Sequence, residues 1–118
     1  MKIYIAGKIT GDPEYRSKFN YAERKLKAAG YTVMNPAILP DGFEYDEYIS
    51  MSAALMAPCD TICLLPGWEK SRGATNEFYR AYTRGMDSFY FDVWLKIIQG
   101  REAGERVRVR ELAKMGAV

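Results

Sequence analysis

The chain has 118 residues, 48% of them hydrophobic, and a formal charge of +2, which fits one domain with an ordinary hydrophobic core. No apolar stretch approaches the roughly 18 residues that cross a bilayer, and the N-terminus enters a strand pattern instead of a signal peptide, so we expect a soluble cytoplasmic protein without a membrane partner. The small net charge gives no reason to expect a nucleic-acid partner.

The chain contains two cysteines and no histidine. Cys59 and Cys63 are four residues apart in an apolar stretch, a spacing that matches neither a redox CxxC pair nor a disulfide framework. We therefore interpret both as small buried hydrophobic residues. A zinc site without histidine would need carboxylates to complete it, so we predict no metal, and no cofactor motif is recognised.

The first half of the chain alternates between strand and helix patterns. Residues 2–6 are mostly apolar or β-favouring, and the glycine that follows ends the run, which predicts a strand. In residues 13–29 apolar side chains recur at helical spacing, and Gly30 is placed to stop that helix. The next predicted elements are a strand and, after a turn, a helix, over residues 31–34 and 45–57.

The second half continues the alternation. Residues 61–65 form a nearly continuous apolar run, typical of a parallel strand that is covered on both faces. A loop, "PGWEKSRGATNE", leads into a third helix that ends near Gly85, and the aromatic run at 88–93 predicts a fourth strand. A short helix over 94–99, closed by Gly100, follows, and the remaining residues mix helix and strand signals. This order predicts a single α/β domain over residues 1–118.

Three predicted loops follow the carboxyl ends of strands, where ligands bind to open parallel sheets. They are residues 7–12, Asn35 with Pro36, and residues 66–77, and we expect them to converge on one crevice. The first, "GKITG", lacks the spacing of a dinucleotide or P-loop motif. Its glycines allow a ligand to approach the backbone closely, although a plain strand-to-helix turn would look the same.

The start of the third predicted helix has the composition of an anion site. Ser71, Arg72 and Gly73 would bring together a hydroxyl, a guanidinium and free backbone amides, and Lys8 could add a second positive charge from the first loop. Phosphate is the simplest ligand for such a site. The alternative is that these charges are only solvated.

Glu77 follows Gly73 by four residues, near the beginning of the third predicted helix. There the positive end of the helix dipole would favour the ionised carboxylate, which predicts a competent nucleophile or base at neutral pH. A purely structural glutamate near a helix start is the alternative.

Three motifs in this order, "IYIAGKITG", "CDTICLLPGW" and "SRGATNE", resemble the nucleoside 2-deoxyribosyltransferase-like superfamily from about Lys2 to Ala81. The likeness is greatest to its small members and looser to the 2'-deoxynucleoside 5'-monophosphate N-glycosidases. It implies a flavodoxin-like or Rossmann-like sandwich with a parallel sheet of about four to five strands. It also implies cleavage of the bond between a base and deoxyribose through a covalent glycosyl-glutamate, without a cofactor.

The resemblance also implies roles for individual residues. Glu77 matches the nucleophile, and Tyr4 matches the first-strand tyrosine that orients it. Ser71 matches a serine that contacts phosphate. Trp68 could present a flat face to a base or sugar, or it could close the edge of the core. Together with the strand-end reasoning, the predicted substrate-binding residues are Gly7, Lys8, Ile9, Thr10, Gly11, Asn35, Trp68, Ser71, Arg72 and Gly73.

One position departs from the pattern. Characterised members carry an aspartate that helps protonate the leaving base, eight residues before the aspartate that matches Asp60, and this chain has Ser52 there. Two functions therefore remain open: an enzyme acting on a small-molecule deoxynucleoside or its 5'-monophosphate, and a non-catalytic nucleotide-binding or phosphosugar-binding module. A structural protein without a site is a third alternative. By analogy with the family we also expect a homo-oligomer.

Overall fold

The computed structural model describes residues 1–99, which form four strands and four helices. The predicted helix stop at Gly100 and the segment 100–118 lie outside the described residues. Two short 3₁₀ turns occur as well, at Pro36–Ile38 and Trp68–Lys70. The strands are β1 (Lys2–Ala6), β2 (Thr32–Met34), β3 (Thr61–Leu64) and β4 (Asp87–Tyr90), and the helices are α1 (Tyr15–Ala28), α2 (Tyr45–Met56), α3 (Arg72–Thr83) and α4 (Phe91–Gln99).

The four strands make one parallel sheet in the order β2-β1-β3-β4. After β2 the chain crosses over β1 and continues on its other side with β3. The direction of strand addition therefore reverses between β1 and β3, and a ligand crevice is expected beyond their carboxyl ends. The predicted α/β fold, a flavodoxin-like or Rossmann-like sandwich with a parallel sheet, is confirmed.

Helices cover both faces of the sheet. Buried residues of α1 and α4 pack against Ile3 and Ile5 of β1, whereas α2 and α3 contribute to a second cluster with Tyr4 and Ala6 of the same strand. The division follows from the strand itself, because successive side chains point to opposite faces of a sheet.

Helix α1 lies where its apolar periodicity predicts it. Phe19, Ala22 and Leu26 are buried on one face, as the spacing of three and four residues requires. Gly30 has φ of +94°, a left-handed conformation that favours glycine, and its N–H donates to the carbonyl of Lys27 at 2.9 Å. The helix therefore stops where the sequence predicts.

The predicted fourth strand over 88–93 is wrong in its second half. β4 ends at Tyr90, and α4 begins at Phe91, three residues before the predicted helix start. Phe91 and Trp94 are both buried in the same cluster and stack with ring centroids 5.9 Å apart. Residues three apart share a face only in a helix, so this packing overrides the β preference of the aromatic residues.

The two cysteines are buried and free, as predicted. Burial raises the pKa of both thiols, most strongly at Cys63, so they behave as apolar core atoms. Within residues 1–99, no helix is both long enough and apolar enough to span a membrane.

Candidate active site

A cavity of about 290 Å³ opens among the loops that follow the first three strands. The first loop, the segment after β2, one face of α2 and the first turns of α3 all contribute to its wall. Its lining residues are Gly7, Ile9, Thr10, Tyr15, Pro36, Leu39, Asp41, Tyr45, Tyr48, Ile49, Ser52, Ser71, Gly73, Ala74 and Glu77. The cavity thus occupies the crevice that the strand order predicts.

The structure brings Tyr4 and Glu77 into direct contact at this cavity. Tyr4 is fully buried in β1, and its hydroxyl donates a hydrogen bond to Oε2 of Glu77. The two residues are 73 positions apart in sequence, so only the packing of α3 against the sheet joins them. A carboxyl group with a fixed orientation consequently faces the cavity.

The expectation that the helix dipole keeps Glu77 ionised is wrong. Burial raises the pKa of Glu77 to about 7, although hydrogen bonds from Tyr4 and Ser52 and the charge of Arg80 act in the opposite direction. Glu77 is the sixth residue of α3, which begins at Arg72, whereas the dipole acts mainly on the first turn. Loss of hydration therefore outweighs the dipole, and the carboxyl group is divided between both protonation states near neutral pH.

Tyr4 remains a hydrogen-bond donor throughout the ordinary pH range. Burial, followed by the negative charge of Glu77, raises its pKa far above the usual value, while hydrogen bonding to Ser52 acts in the opposite direction. Because the phenol keeps its proton, Tyr4 can hold Glu77 in place but cannot serve as a base.

The predicted anion site at the start of α3 is partly assembled. Ser71 is the N-cap residue, and its Oγ accepts a hydrogen bond from the amide of Ala74 at 3.1 Å. Ser71 and Gly73 both line the cavity. Since the serine oxygen accepts from the helix, its hydroxyl proton is the group it can offer to a ligand.

The first loop contributes Gly7, Ile9 and Thr10 to the cavity wall. Gly7 also has a packing role. A Cβ atom at this position would lie 3.0 Å from Cβ of Leu65 and 3.2 Å from the ring of Phe19. The close approach of the chain to its own core therefore favours glycine here, whatever the cavity binds.

Five predicted binding residues are not among those that line the cavity, namely Lys8, Gly11, Asn35, Trp68 and Arg72. Asn35 is buried, and its amide group donates to side chains of α1, Asn20 at 2.9 Å and Glu23 at 2.8 Å. Its oxygen accepts from the amide of Ala37. Asn35 thus joins β2 to α1 and caps the 3₁₀ turn that follows.

The other four residues that do not line the cavity are Lys8, Gly11, Trp68 and Arg72. Trp68 packs against Phe78 of α3 at 5.1 Å between ring centroids, at the margin of the second core cluster. Arg72 lies over the ring of Tyr45 at 4.7 Å, where the guanidinium supports one wall of the cavity. Lys8 is partly exposed, and its Cε atom would lie 3.9 Å from a Cβ atom added at Gly11.

Sequence reasoning missed the aromatic wall of the cavity. Tyr45, Tyr48, Ile49 and Ser52 of α2 all line it, at the i, i+3, i+4 and i+7 spacing of one helix face. That spacing was visible in the sequence, but it is equally typical of a core-facing helix. Asp41, in the loop before α2, also lines the cavity and forms an ion pair with Arg16 at 3.1 Å. No motif or spacing in the sequence indicated that Asp41 belongs to the site.

The fold and the site together define a class: a three-layer α/β protein with a tyrosine-held carboxyl group in a cavity at the reversal point of a parallel sheet. The chain belongs to the DUF4406 family, whose description is "domain of unknown function" and whose family model matches residues 1–90. That match includes every residue that lines the cavity. No curated protein matches the chain.

Proposed function

We propose that this protein cleaves or transfers the N-glycosidic bond of a 2'-deoxynucleoside or its 5'-monophosphate. The observation that carries the proposal is the Tyr4–Glu77 hydrogen bond beside the cavity. The motif resemblance to the nucleoside 2-deoxyribosyltransferase-like superfamily supports it independently, because it assigns the nucleophile and its orienting tyrosine to the same two residues. The proposed catalytic residues are therefore Glu77 and Tyr4.

In the proposed reaction, the ionised Glu77 carboxylate attacks the anomeric carbon of the sugar. The carbon–nitrogen bond breaks as the new carbon–oxygen bond forms, and the base leaves with the bonding electrons and takes up a proton from solvent water. Water or an acceptor base then attacks the same carbon and releases Glu77. Because the pKa of Glu77 is about 7, the rate of the first step should rise as the pH increases through neutrality.

A 5'-phosphate would bind where the first loop meets the start of α3. Thr10 and Ser71 both line the cavity there, and the amides of the first turn of α3 favour an anion. The tyrosines of α2 and Tyr15 would border the base. The proposed ligand is thus a small-molecule nucleoside or nucleotide.

Base release measured by chromatography tests the proposal. The full chain is incubated with the four deoxynucleosides and their 5'-monophosphates, with and without an acceptor base. We expect release or exchange by the wild type and at least a hundredfold less by Glu77→Gln, which keeps the shape of the side chain. Glu69→Gln, an exposed change just before α3, should retain the wild-type rate. Equal inertness of the wild type and Glu77→Gln on all substrates would reject the catalytic proposal.

The alternative function is a nucleotide-binding or phosphosugar-binding module without turnover. One observation favours it: Ser52 lines the cavity at the position where characterised members of the superfamily have their proton-donating aspartate. A binding module would show a higher Tm with a deoxynucleotide or phosphosugar, since a ligand of the folded state stabilises it, but would release no base. The absence of any Tm shift across such a panel would eliminate this function.

We also propose that the protein is cytoplasmic and, by analogy with the superfamily, that it forms a homo-oligomer. Light scattering after size-exclusion chromatography measures the mass directly. A single species near 13.5 kDa at micromolar concentration would contradict the oligomer.

A further inference from the structure

Tyr45 is the first residue of α2 and lines the cavity, and two side chains of α3 contact it. The guanidinium of Arg72 lies over its ring, 4.7 Å from the centroid, and Nδ2 of Asn76 donates a hydrogen bond to its hydroxyl oxygen at 3.2 Å. Neither Arg72 nor Asn76 is among the residues that line the cavity. The ring of Tyr45 is thus held by two side chains that leave the cavity itself free for a ligand.

The helical spacing of α3 explains how one helix both holds this ring and carries the proposed nucleophile. Arg72 and Asn76 are four residues apart and share one stripe of the helix surface. Gly73 and Glu77, also four residues apart, form the neighbouring stripe, and both line the cavity. The position of the Tyr45 ring is consequently tied to the same helix that positions the Glu77 carboxyl group.

The other tyrosines of the cavity are held differently. Tyr48 packs against Phe43 with ring centroids 5.9 Å apart, and its hydroxyl donates to a carbonyl group of the loop before α2. Tyr15 lies under the guanidinium of its neighbour Arg16, 4.9 Å from the ring centroid. Of the three tyrosines that line the cavity, Tyr45 is therefore the one that α3 holds in place.

These contacts leave Tyr45 able to bind a flat ligand in two ways. Arg72 covers one face of the ring, and a planar base can stack on the other face, an interaction that tolerates every base because each has a π-face. Because Asn76 donates to the hydroxyl oxygen, the hydroxyl proton of Tyr45 can be donated to an acceptor on the ligand. The contact with the ring also gives Arg72 a role other than the phosphate ligand that the sequence predicts.

We propose that Tyr45 is the base-contacting residue that makes the cavity select ligands with a nucleobase over free phosphosugars, and that Arg72 and Asn76 are positioning residues that hold its ring. The base stacks on Tyr45, and the sugar lies toward Glu77. The class of ligand rests on the proposed function, but binding to Tyr45 requires no turnover.

Calorimetric titration of the full chain carrying Glu77→Gln tests the role of Tyr45 without consuming the ligand. The probes are the four deoxynucleoside 5'-monophosphates and 2-deoxyribose 5-phosphate, which has no base. We expect the tightest deoxynucleotide to bind at least about fivefold more tightly than the phosphosugar, and Tyr45→Ala to remove most of this difference. Tyr45→Trp, which keeps a flat ring, should retain it.

Arg72→Ala and Asn76→Ala test the positioning roles. Each should weaken deoxynucleotide binding about two- to fivefold, the range expected for one exposed cation–π contact or one hydrogen bond. Neither should weaken it further when combined with Tyr45→Ala, because no ring is then left to hold. In Tyr45→Phe, which keeps the ring and loses the oxygen, Arg72→Ala should still weaken binding and Asn76→Ala should not.

Arg24→Ala is the matched control. The guanidinium of Arg24 lies over the ring of Tyr21 on α1 at 5.5 Å, and neither residue lines the cavity, so its loss should leave every Kd unchanged. A further loss of affinity on adding Arg72→Ala to Tyr45→Ala would identify Arg72 as a phosphate ligand and overturn its positioning role.

Two results would overturn the assignment of Tyr45: unchanged deoxynucleotide affinity in Tyr45→Ala, or no binding of any of the four deoxynucleotides to either the wild type or Glu77→Gln. These results are distinguishable from failure of the proposed function. Base release by the wild type with unchanged affinity in Tyr45→Ala would support the function and reject the role of Tyr45. Tyr45-dependent binding without base release would reject the catalytic proposal and support that role.

Discussion

The two faces of the sheet differ in chemistry although the same strands build both. The face toward α1 and α4 is an apolar core that buries Ile3, Ile5, Phe19 and Leu26. The face toward α2 and α3 also has buried apolar residues, but there Tyr4 holds the carboxyl group of Glu77 beside the cavity. One layer therefore supplies stability, and the other combines stability with a polar group.

The position of the cavity explains this division. Buried carboxyl groups are costly unless they are hydrogen-bonded, and Glu77 accepts a hydrogen bond from Tyr4 at the edge of the core, where it also lines the cavity. Of the residues in α1 and α4, Tyr15 at the start of α1 is the one that lines the described cavity. Substitutions on the two faces should thus have separable effects.

The largest expected effect is on the apolar face. Leu26→Ala should lower the free energy of unfolding by about 2–5 kcal/mol, because Leu26 is fully buried and its truncation leaves a cavity. Leu55→Ala, on the other face and only partly buried, should cost less. Urea unfolding measures both. If Leu26→Ala also moved the Glu77 titration, the two faces would not be independent.

The next effect is the pH dependence of stability caused by Glu77. Its pKa rises from an ordinary value of 4.5 to about 7 on folding, so between these values the folded state keeps a proton that the unfolded state releases. Stability should therefore fall as the pH rises through this range, by about 3 kcal/mol in total.

Urea unfolding at pH 5 and pH 8 checks this sign. Relative to Glu77→Gln, which cannot titrate there, the wild type should be less stable at pH 8 than at pH 5. Taking the difference removes the contributions of Asp12 and Glu23, whose depressed pKa values act in the opposite direction at lower pH. A difference between the two proteins that does not change with pH would contradict the buried, perturbed carboxyl group.

The smallest effect concerns the boundary between the two regions. Gly7 lines the cavity, and a Cβ atom added to it would meet Leu65 and Phe19 of the apolar core. Gly7→Ala should cost about 1–3 kcal/mol through overpacking. Gly73→Ala, where a new Cβ would meet only Oγ of Ser71 at 3.9 Å, should be neutral or stabilise α3 by up to about 1 kcal/mol. Thermal unfolding compares them, and equal losses would show that Gly7 has no special packing role.

Local patterns in the sequence were sufficient to predict most of the fold. Apolar spacing located α1 and α2, the continuous run at β3 indicated a strand covered on both faces, and the order of elements indicated a parallel α/β sheet. These predictions succeed because periodicity is a property of neighbouring residues. The aromatic run after Tyr90 was misjudged because tertiary burial of Phe91 and Trp94 decided between strand and helix.

The candidate site was only partly predictable. Residue type and motif order singled out Tyr4, Glu77 and Ser71, and the topology then brought them to one cavity. The protonation of Glu77 and the aromatic wall from α2 depend on which distant surfaces meet, and local spacing does not determine these. The sequence by itself thus determined the elements and the chemical groups, whereas the tertiary structure decided their neighbours and hence their charge, because hydration is lost only when the chain packs.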